Sequence, residues 1–220
     1  MSRAFFDAST KKAITAAVRE VESKTAAELV ALVRWESSNY RDTDFAVGFC
    51  VSVVTLMALL YLPHEFPLWV FVVDVPVSFA IGSLLSMTVI GVRRMLTQKT
   101  RMEKAVRRAA HAEFYEQGIS RTSGRWGVLV YVSAFEHCVE VVPDIGIDVE
   151  ALGTQWRTAI DALRSAVEQE DVDRFVAVLR TLGPVLGSVL PHRDGDVDEL
   201  GDEADVDESK DSERPRAAEV

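Results

Sequence analysis

The sequence FAVGFCVSVVTLMALLYL, residues 45–62, and the sequence FPLWVFVVDVPVSFAIGSLLSMTVIGV, residues 66–92, decide how this chain is organised. The first stretch has no charged residue, and the second has only Asp74. A helix rises about 1.5 Å per residue and the hydrocarbon layer is about 30 Å thick, so roughly 20 apolar residues cross it. The three residues 63–65 separate the stretches. The pattern predicts a hairpin of two transmembrane helices, because two buried helices this apolar rarely follow one another in a soluble protein.

The second stretch leaves the position of its span open. Either residues 66–92 all cross with tilt, or residues 66–73 lie at the interface and the span is nearer 75–92. We favour the second arrangement, because a carboxylate such as Asp74 costs several kcal/mol near the bilayer centre and little at the interface. A transport role for Asp74 is a weaker hypothesis, since two helices with one acid and no partner base make a poor ion pathway.

Basic residues flank the hairpin, and the turn between its helices has no Lys or Arg. Arg41 precedes the hairpin, and the bases that follow it are Arg93, Arg94, Lys99 and Arg101. The positive-inside rule therefore predicts that both termini and both soluble segments lie in the cytoplasm, with the short turn outside.

The net charge of −10 is concentrated near the C-terminus. Residues 194–213 contain eleven acids and one base, which accounts for the whole excess. With few apolar residues, the tail 194–220 is predicted to be disordered, either as a solvated segment or as a loose ligand for cations or a basic partner. The rest of the chain has no basic stripe, so nucleic acid is not expected as a partner.

Outside the hairpin, the periodicities predict an α/β domain. Four segments have the spacing of amphipathic helices: residues 5–24, 102–117, 149–168 and 172–190. The last is predicted to break at Gly183 and Pro184. Three short runs rich in β-branched residues predict strands: residues 29–35, 127–133 and 138–142.

The order of these elements predicts an α/β fold in which helices cover a small mixed sheet, with residues 127–133 and 138–142 antiparallel. We expect one domain over residues 1–193. The hairpin at 45–92 is an insertion between the two parts of this domain, residues 1–44 and 93–193.

Three segments carry recognisable motifs. VREVESKTAAELV, residues 18–30, contains the end of a predicted helix, followed by a T-x-x-E-[IL]-V motif that leads into a predicted strand. FYEQGISRTSGRWGVLVYVSAFEHCVEVVPDIGI, residues 114–147, contains G-[IL]-x-x-T, G-V-L-[IV]-x-[VI]-S, E-x-x-V-E and D-x-G-I motifs in order. VLPHRDGDVDEL, residues 189–200, is similar to a C-terminal stretch that starts with the motif F-P and ends with the motif N-E-L. Together, over residues 5–36 and 102–200, they resemble the TPM domain family.

Two positions depart from the family pattern: Pro143 replaces a small residue, and Asp198 stands where Asn is usual. The inserted hairpin resembles a bacterial membrane-bound subset, which implies an inner-membrane location. The resemblance also implies that some members bind calcium in an acidic cleft, that some relatives have weak acid phosphatase activity, and that photosystem-repair relatives act on membrane protein complexes.

Acids at the predicted strand ends are the candidate metal ligands. Glu28 enters the first strand, and Asp144 and Asp148 follow the third. Ligands gather at strand ends in α/β folds, and calcium takes 6–8 oxygen ligands. As alternatives, Glu28 caps or pairs locally, and Asp144 forms the turn before Gly146.

Two functions of different class follow. The first is a non-enzymatic membrane-anchored module that binds, assembles or maintains membrane protein complexes, with calcium as its candidate ligand. The second is a weak metal-dependent acid phosphatase. We favour the first and expect no catalytic residue, because the sequence has no phosphatase loop, P-loop or metalloprotease motif, and its four histidines are scattered.

Small residues recur in the two apolar stretches and permit close helix packing: Gly48, Ser52, Gly82, Ser83, Ser86 and Gly91. They allow a homo-oligomer through the spans. Packing of the hairpin against itself is the simpler interpretation.

Overall fold

The computed structural model describes residues 3–192, 200–201 and 204–207. The chain divides into two compact units. Met1–Ser38 and Glu103–Val220 form the first, which we call the α/β unit, and Asn39–Met102 forms the second, the hairpin unit.

Seven α-helices occur in the described residues: α1 Ala8–Glu22, α2 Arg41–Tyr61, α3 Leu68–Thr88, α4 Ile90–Leu96, α5 Lys99–Glu116, α6 Val149–Glu168 and α7 Val172–Gly187. The described strands are β1 Glu28–Arg34, β2 Gly127–Ser133, β3 Cys138–Pro143 and β4 Asp205–Asp207. They form one sheet in the order β3-β2-β1-β4. β1 is parallel to both β2 and β4, and β2 is antiparallel to β3, so the predicted mixed sheet covered by helices is confirmed.

The sheet buries both faces because its central strands are apolar on both sides. Along β1, Leu29, Ala31 and Val33 share a core with buried residues of α1, α6 and α7. Leu32, on the opposite face, shares a second core with Phe114 and its neighbours on α5. This alternation follows from the two-residue period of a strand.

The predicted break at Gly183 and Pro184 is wrong, because α7 continues to Gly187. The carbonyl of Pro184 still accepts the N–H of Ser188, at 3.2 Å. Gly183 lies against the backbone of Val21 in α1, so the absence of a side chain there lets the two helices approach closely. α7 thus contains Pro184 in its last turn while it remains packed closely on α1.

The predicted disorder of the acidic tail is wrong for Asp205–Asp207, which form β4 beside β1. Val206 packs against the core, and Asp205 pairs with Arg34. These two contacts order a segment whose composition alone favours a solvated chain. Residues 193–199, 202–203 and 208–220, which include most of the tail, lie outside the described residues.

In the hairpin unit, α2 and α3 are long and apolar enough to cross a membrane. Each has 21 residues and reaches a mean hydropathy of 2.0 over 18 residues. Only 17% and 11% of those residues are buried, so these helices differ from the core helices of a soluble protein. Large apolar side chains such as Phe49, Val54 and Leu84 face outward.

Small residues line the contact between α2 and α3. A side chain on Gly48 would meet Ser83 and Phe79, and one on Gly82 would meet Val51. Of the six small residues noted in the sequence, Gly91 is the exposed one. The other five therefore pack the hairpin against itself.

α3 runs without a break from Leu68 through Asp74 and Pro76, so the interfacial position of residues 66–73 stays a prediction. The carboxylate of Asp74 accepts hydrogen bonds from the hydroxyls of Thr55, at 3.1 Å, and Ser78, at 2.9 Å. These bonds supply polar partners within the hairpin, which lowers the cost of placing the acid inside an apolar helix.

Candidate functional site

Two of the three predicted metal ligands lie at one end of the sheet. Glu28 begins β1 opposite Gly127, and the N–H of Asp144 donates to the carbonyl of Gly127 at 2.8 Å. Asp148 lies just beyond, at the start of α6. The tertiary structure therefore places Glu28 and Asp144 at the same end of the sheet.

The carboxylate of Asp144 is already engaged. Arg125 donates to both of its oxygens, from Nε at 2.8 Å and from Nη2 at 2.9 Å. The N–H of Ile145 donates to one of them at 2.7 Å. A calcium ion would have to displace a bidentate guanidinium, which is a strong partner for a carboxylate.

Asp148 has a structural role as the N-cap of α6. One oxygen of its carboxylate accepts the N–H groups of Glu150, at 3.1 Å, and Ala151, at 3.0 Å. Among the residues that the structure describes, no three His, Cys, Asp or Glu side chains form a group suited to a metal. The arrangement of Glu28, Asp144 and Asp148 therefore does not fit calcium as it stands.

The turn around Asp144 also requires particular backbone geometry. Arg125 has a φ of 55°, in the left-handed region that disfavours most side chains. The N–H of Gly146 donates to the carbonyl of Arg125 at 3.0 Å, and any side chain on Gly146 would strike the carbonyls of Gly124 and Arg125. The Arg125–Asp144 pair thus holds a tight contact between two turns, which matches the turn-forming alternative for Asp144.

The opposite end of the sheet, where parallel β1, β2 and β4 end, carries a larger polar group. We call it the carboxyl-end cluster; its members are Arg34, Ser37, Glu113, Tyr131, Ser133, Glu136 and Asp205. Ligands of α/β folds gather at this end of parallel strands. We therefore treat the cluster as the candidate functional site.

Arg34 connects three elements within the cluster. Its guanidinium donates to Glu113 of α5, at 3.1 Å, and to Asp205 of β4, at 2.8 Å. Burial lowers the pKa of Arg34, but the hydrogen bond to Asp205 and the charges of Glu113 and Asp205 outweigh it and raise the pKa above its usual value. Arg34 therefore stays charged, and its charge holds α5 and β4 to the end of β1.

Glu136 connects the turn after β2 to the segment after β1. Its carboxylate accepts the N–H of Ser37, at 2.9 Å, and the hydroxyl of Ser133. The hydroxyls of Ser37 and Tyr131 are 3.1 Å apart. Burial, more than any other cause, raises the pKa of Tyr131 to about 12. These contacts fix the chain just before Ser38, where it leaves the α/β unit.

In the hairpin unit, the described structure reveals a buried acid that the sequence analysis missed. The side chain of Asp44 is 1% exposed, accepts a hydrogen bond from Ser86 at 2.8 Å, and lies 3.5 Å from Nε of Arg93. The guanidinium of Arg93 lies over the ring of Tyr40, with its centre 5.5 Å from the ring centroid. Non-covalent contacts of polar side chains thus connect α2, α3 and α4 at the end of the hairpin where the basic residues lie.

Comparison with known proteins identifies the fold. No family model matches the sequence, and neither does any curated protein. The structure is similar to the NMR structure of the BA42 protein from the psychrophilic bacterium Bizionia argentinensis, with a TM-score of 0.55 and 17% sequence identity. The match covers 91% of this chain and 94% of BA42. At 17% sequence identity, this similarity shows a shared fold alone.

The predicted metal ligands Glu28 and Asp144 lie at the end of the sheet opposite the carboxyl-end cluster. Arg34, Tyr131 and Asp205 were not among the predicted site residues. One signal was present, since Arg34 is the charged residue that closes the apolar strand ELVALVR. The period of two puts it on the same face as Leu32. Its partners Glu113 and Asp205 are 79 and 171 residues away in the sequence, so local patterns do not predict the pairing.

The carboxyl-end cluster is suited to holding segments together. Arg34 and Glu136 are 8% and 3% exposed, and their charged groups are engaged by side chains and backbone of the protein itself. A catalytic group must be within reach of a substrate proton or reacting atom. The geometry therefore favours a structural role, in which the cluster holds α5, β4 and the segment after β1 to this end of the sheet.

Proposed function

We propose that this protein is a membrane-anchored binding module of the TPM-domain type, which helps to assemble or maintain a membrane protein complex. The observation that carries the proposal is the insertion of two exposed apolar helices, each 21 residues long, between β1 and α5 of a folded α/β unit. A domain tethered in this way meets partners that share its membrane more often than it meets diffusing substrates.

The distribution of charge supports an inner-membrane location with both termini in the cytoplasm. Arg41 begins α2, and Arg93, Arg94, Lys99 and Arg101 follow α3. The turn joining the two helices has no Lys or Arg. Under the positive-inside rule, the basic end faces the cytoplasm together with the α/β unit.

The positions of the TPM-like motifs support the family proposal. Residues 18–30 coincide with the end of α1 and the start of β1. Residues 114–147 cover the end of α5, then β2, β3 and the turn held by Asp144. The motif order thus follows the order of elements on both sides of the hairpin.

The state of the acidic side chains supports binding rather than catalysis. Asp144 is held by Arg125, Asp148 caps α6, and Glu136 accepts from Ser37 and Ser133. A phosphatase needs a nucleophile or an activated water together with a clamp for the phosphate. The proposed function therefore includes neither calcium binding nor phosphoryl transfer.

Membrane fractionation followed by cross-linking tests the proposal. The full chain should remain in membranes after a sodium carbonate wash, and a C-terminal reporter should be active only in its cytoplasmic form. Cross-linking in intact membranes should recover a defined membrane protein. Replacing α2–α3 with an unrelated two-helix hairpin should preserve that capture if the α/β unit makes the contact. Release by carbonate would contradict membrane anchoring.

An activity assay tests the competing phosphatase hypothesis. The purified full chain would be incubated with a generic phosphate ester, with and without calcium or magnesium. We expect no turnover above that of buffer. Turnover that requires the metal and disappears in the Asp144→Asn variant would replace the binding module with an enzyme.

A further inference from the structure

The hairpin unit contains a cleft of about 410 Å³ that runs along α2. Asp42 and Arg101 line one part of the cleft, and Val47, Cys50 and Val51 line another. Its volume lies within the range of small-molecule sites, which is about 300–1,000 Å³. The cleft lies wholly within residues 39–102, so it belongs to one compact unit.

The lining of the cleft changes from polar to apolar along the helix. Asp42 and Thr43 lie in the first turns of α2, and Val47 and Val51 follow on later turns. At 1.5 Å per residue, the distance from Thr43 to Val51 is about 12 Å along the helix axis. A ligand that fits this gradient has a polar head at the start of α2 and an apolar chain that runs along the helix.

The charges near the polar end favour an anionic head. The carboxylate of Asp42 is paired with Arg101, with 2.6 Å between its oxygen and Nη1. Asp44 and Ser86 are hydrogen-bonded, so the start of α2 and the end of α3 lie at the same end of the hairpin. Residues 39–44 and 93–102 carry five bases and two acids, which leaves a positive excess at this end.

We propose that this cleft binds one anionic glycerophospholipid of the cytoplasmic leaflet, with its phosphate at Arg101 and an acyl chain along Val47 and Val51. Asp42 offsets the charge of Arg101 in the lining, so the positive excess comes from the bases of the surrounding segments. Basic sites of this kind on the cytoplasmic side of transmembrane helices suit such head groups. Arg101 has five N–H groups and uses two of its nitrogens for Asp42, so it has donors left for a phosphate. This inference rests on the membrane anchoring in the proposed function.

Native mass spectrometry of the delipidated full chain in detergent tests the proposal. Phosphatidylglycerol and phosphatidylcholine with identical acyl chains would be added separately. We expect a one-to-one adduct that is retained about tenfold better with the anionic lipid, which corresponds to about 1.4 kcal/mol. Equal retention of the two lipids, or no adduct, would overturn the proposal.

Two substitutions locate the lipid. Val47→Trp fills the cleft and should reduce retention of phosphatidylglycerol to the level of phosphatidylcholine. Val54→Trp is the matched control, because Val54 is 67% exposed on the same helix and does not line the cleft. Arg101→Gln should weaken the anionic adduct alone. An equal effect of both tryptophans would overturn the location.

A second measurement uses the native cleft and does not depend on the folding of a tryptophan variant. Cys50 lines the cleft and is exposed, and the other cysteine, Cys138, can be replaced by serine. Phosphatidylglycerol should slow alkylation of Cys50 about fivefold more than phosphatidylcholine does, because the acyl chain covers the thiol. Equal rates would overturn the proposal.

The two proposals fail in different ways. If carbonate releases the chain from membranes, the anchoring proposal fails and the lipid inference fails with it. If the chain stays in the membrane but shows no preference between the two lipids, the inference about the cleft fails alone.

Discussion

At the scale of single residues, Arg34 lies at the end of β1 with its side chain 9% exposed, between the carboxylates of Glu113 and Asp205. Replacing it with methionine keeps most of the side-chain volume and removes the charge. Removing one partner of a fully buried ion pair costs about 3–5 kcal/mol, because the remaining charge is left uncompensated. Since Asp205 is 36% exposed, we expect the Arg34→Met variant to lose about 2–3 kcal/mol of unfolding free energy.

Urea denaturation of the full chain in detergent, followed by tryptophan fluorescence, measures this loss. Arg164→Met provides the control, because the pair that Arg164 forms with Asp161 is 52% and 73% exposed. Exposed pairs contribute about 0–1 kcal/mol. A similar shift in both variants would show that Arg34 does not act through its buried contacts.

Tyr131 makes the stability of the α/β unit depend on pH in the alkaline range. An unfolded tyrosine has a pKa of about 10, whereas burial raises the pKa of Tyr131 to about 12 in the folded protein. Between these values the unfolded state has released its proton and the folded state retains it, so stability falls as pH rises. The loss is about 2–3 kcal/mol from pH 10 to 12.

The Tyr131→Phe variant isolates this effect. Unfolding of the wild type and the variant would be compared at several pH values, and the difference should change from pH 10 to 12. The tyrosine absorbance difference between the two proteins should have its midpoint near 12. A midpoint near 10 would contradict the burial argument.

At the scale of elements, β4 is a short strand whose effect on stability can be tested by truncation. A chain ending at Gly201 lacks β4 and therefore the partner that Asp205 supplies to Arg34. Hydrogen bonds to charged groups contribute about 1.5–3 kcal/mol, so we expect a loss of that order. A chain ending at Asp207 keeps β4 and serves as the control. Equal stability of both truncated chains in urea would contradict a role for β4.

The contact between α2 and α3 depends on the absence of side chains. In a Gly82→Ile variant, the added atoms would meet Val51 and the backbone of Gly48. Overpacking of this kind costs about 1–3 kcal/mol. A side chain on Gly91 meets nothing within 4 Å, so Gly91→Ile is the matched control. Thermal unfolding in detergent should show a lower midpoint for Gly82→Ile than for the control, and equal midpoints would show that the close contact is not required.

At the scale of the whole molecule, the α/β unit has cores on both faces of its sheet, formed by residues of that unit. We expect the chain to fold without the hairpin when residues 39–98 are replaced by a flexible Gly-Ser linker. The shortened protein should move from the membrane to the soluble fraction and unfold cooperatively in urea. Aggregation, or loss of the cooperative transition, would show that the α/β unit depends on the hairpin.

Local patterns predicted the elements whose determinants are local. The run GVLVYVS predicted β2 with its observed bounds. α6 also begins and ends as predicted, although its backbone is non-helical at Gly153. The apolar stretches predicted the two long helices, because composition and length alone define such a segment. The break in α7 and the disorder at β4 were predicted wrongly, because contacts with α1 and Arg34 outweigh the local preferences there.

The sequence by itself determined the mixed α/β class, the two apolar helices and the insertion between the first strand and the next helix, since each depends on hydrophobic periodicity within a short window. The tertiary structure decided which polar groups meet. It joined Arg34 to Glu113 and Asp205, engaged Asp144 with Arg125, and placed Asp44 against Ser86. These partners are distant along the chain, and their pairing depends on the packing of whole elements that bury a charge and must satisfy it.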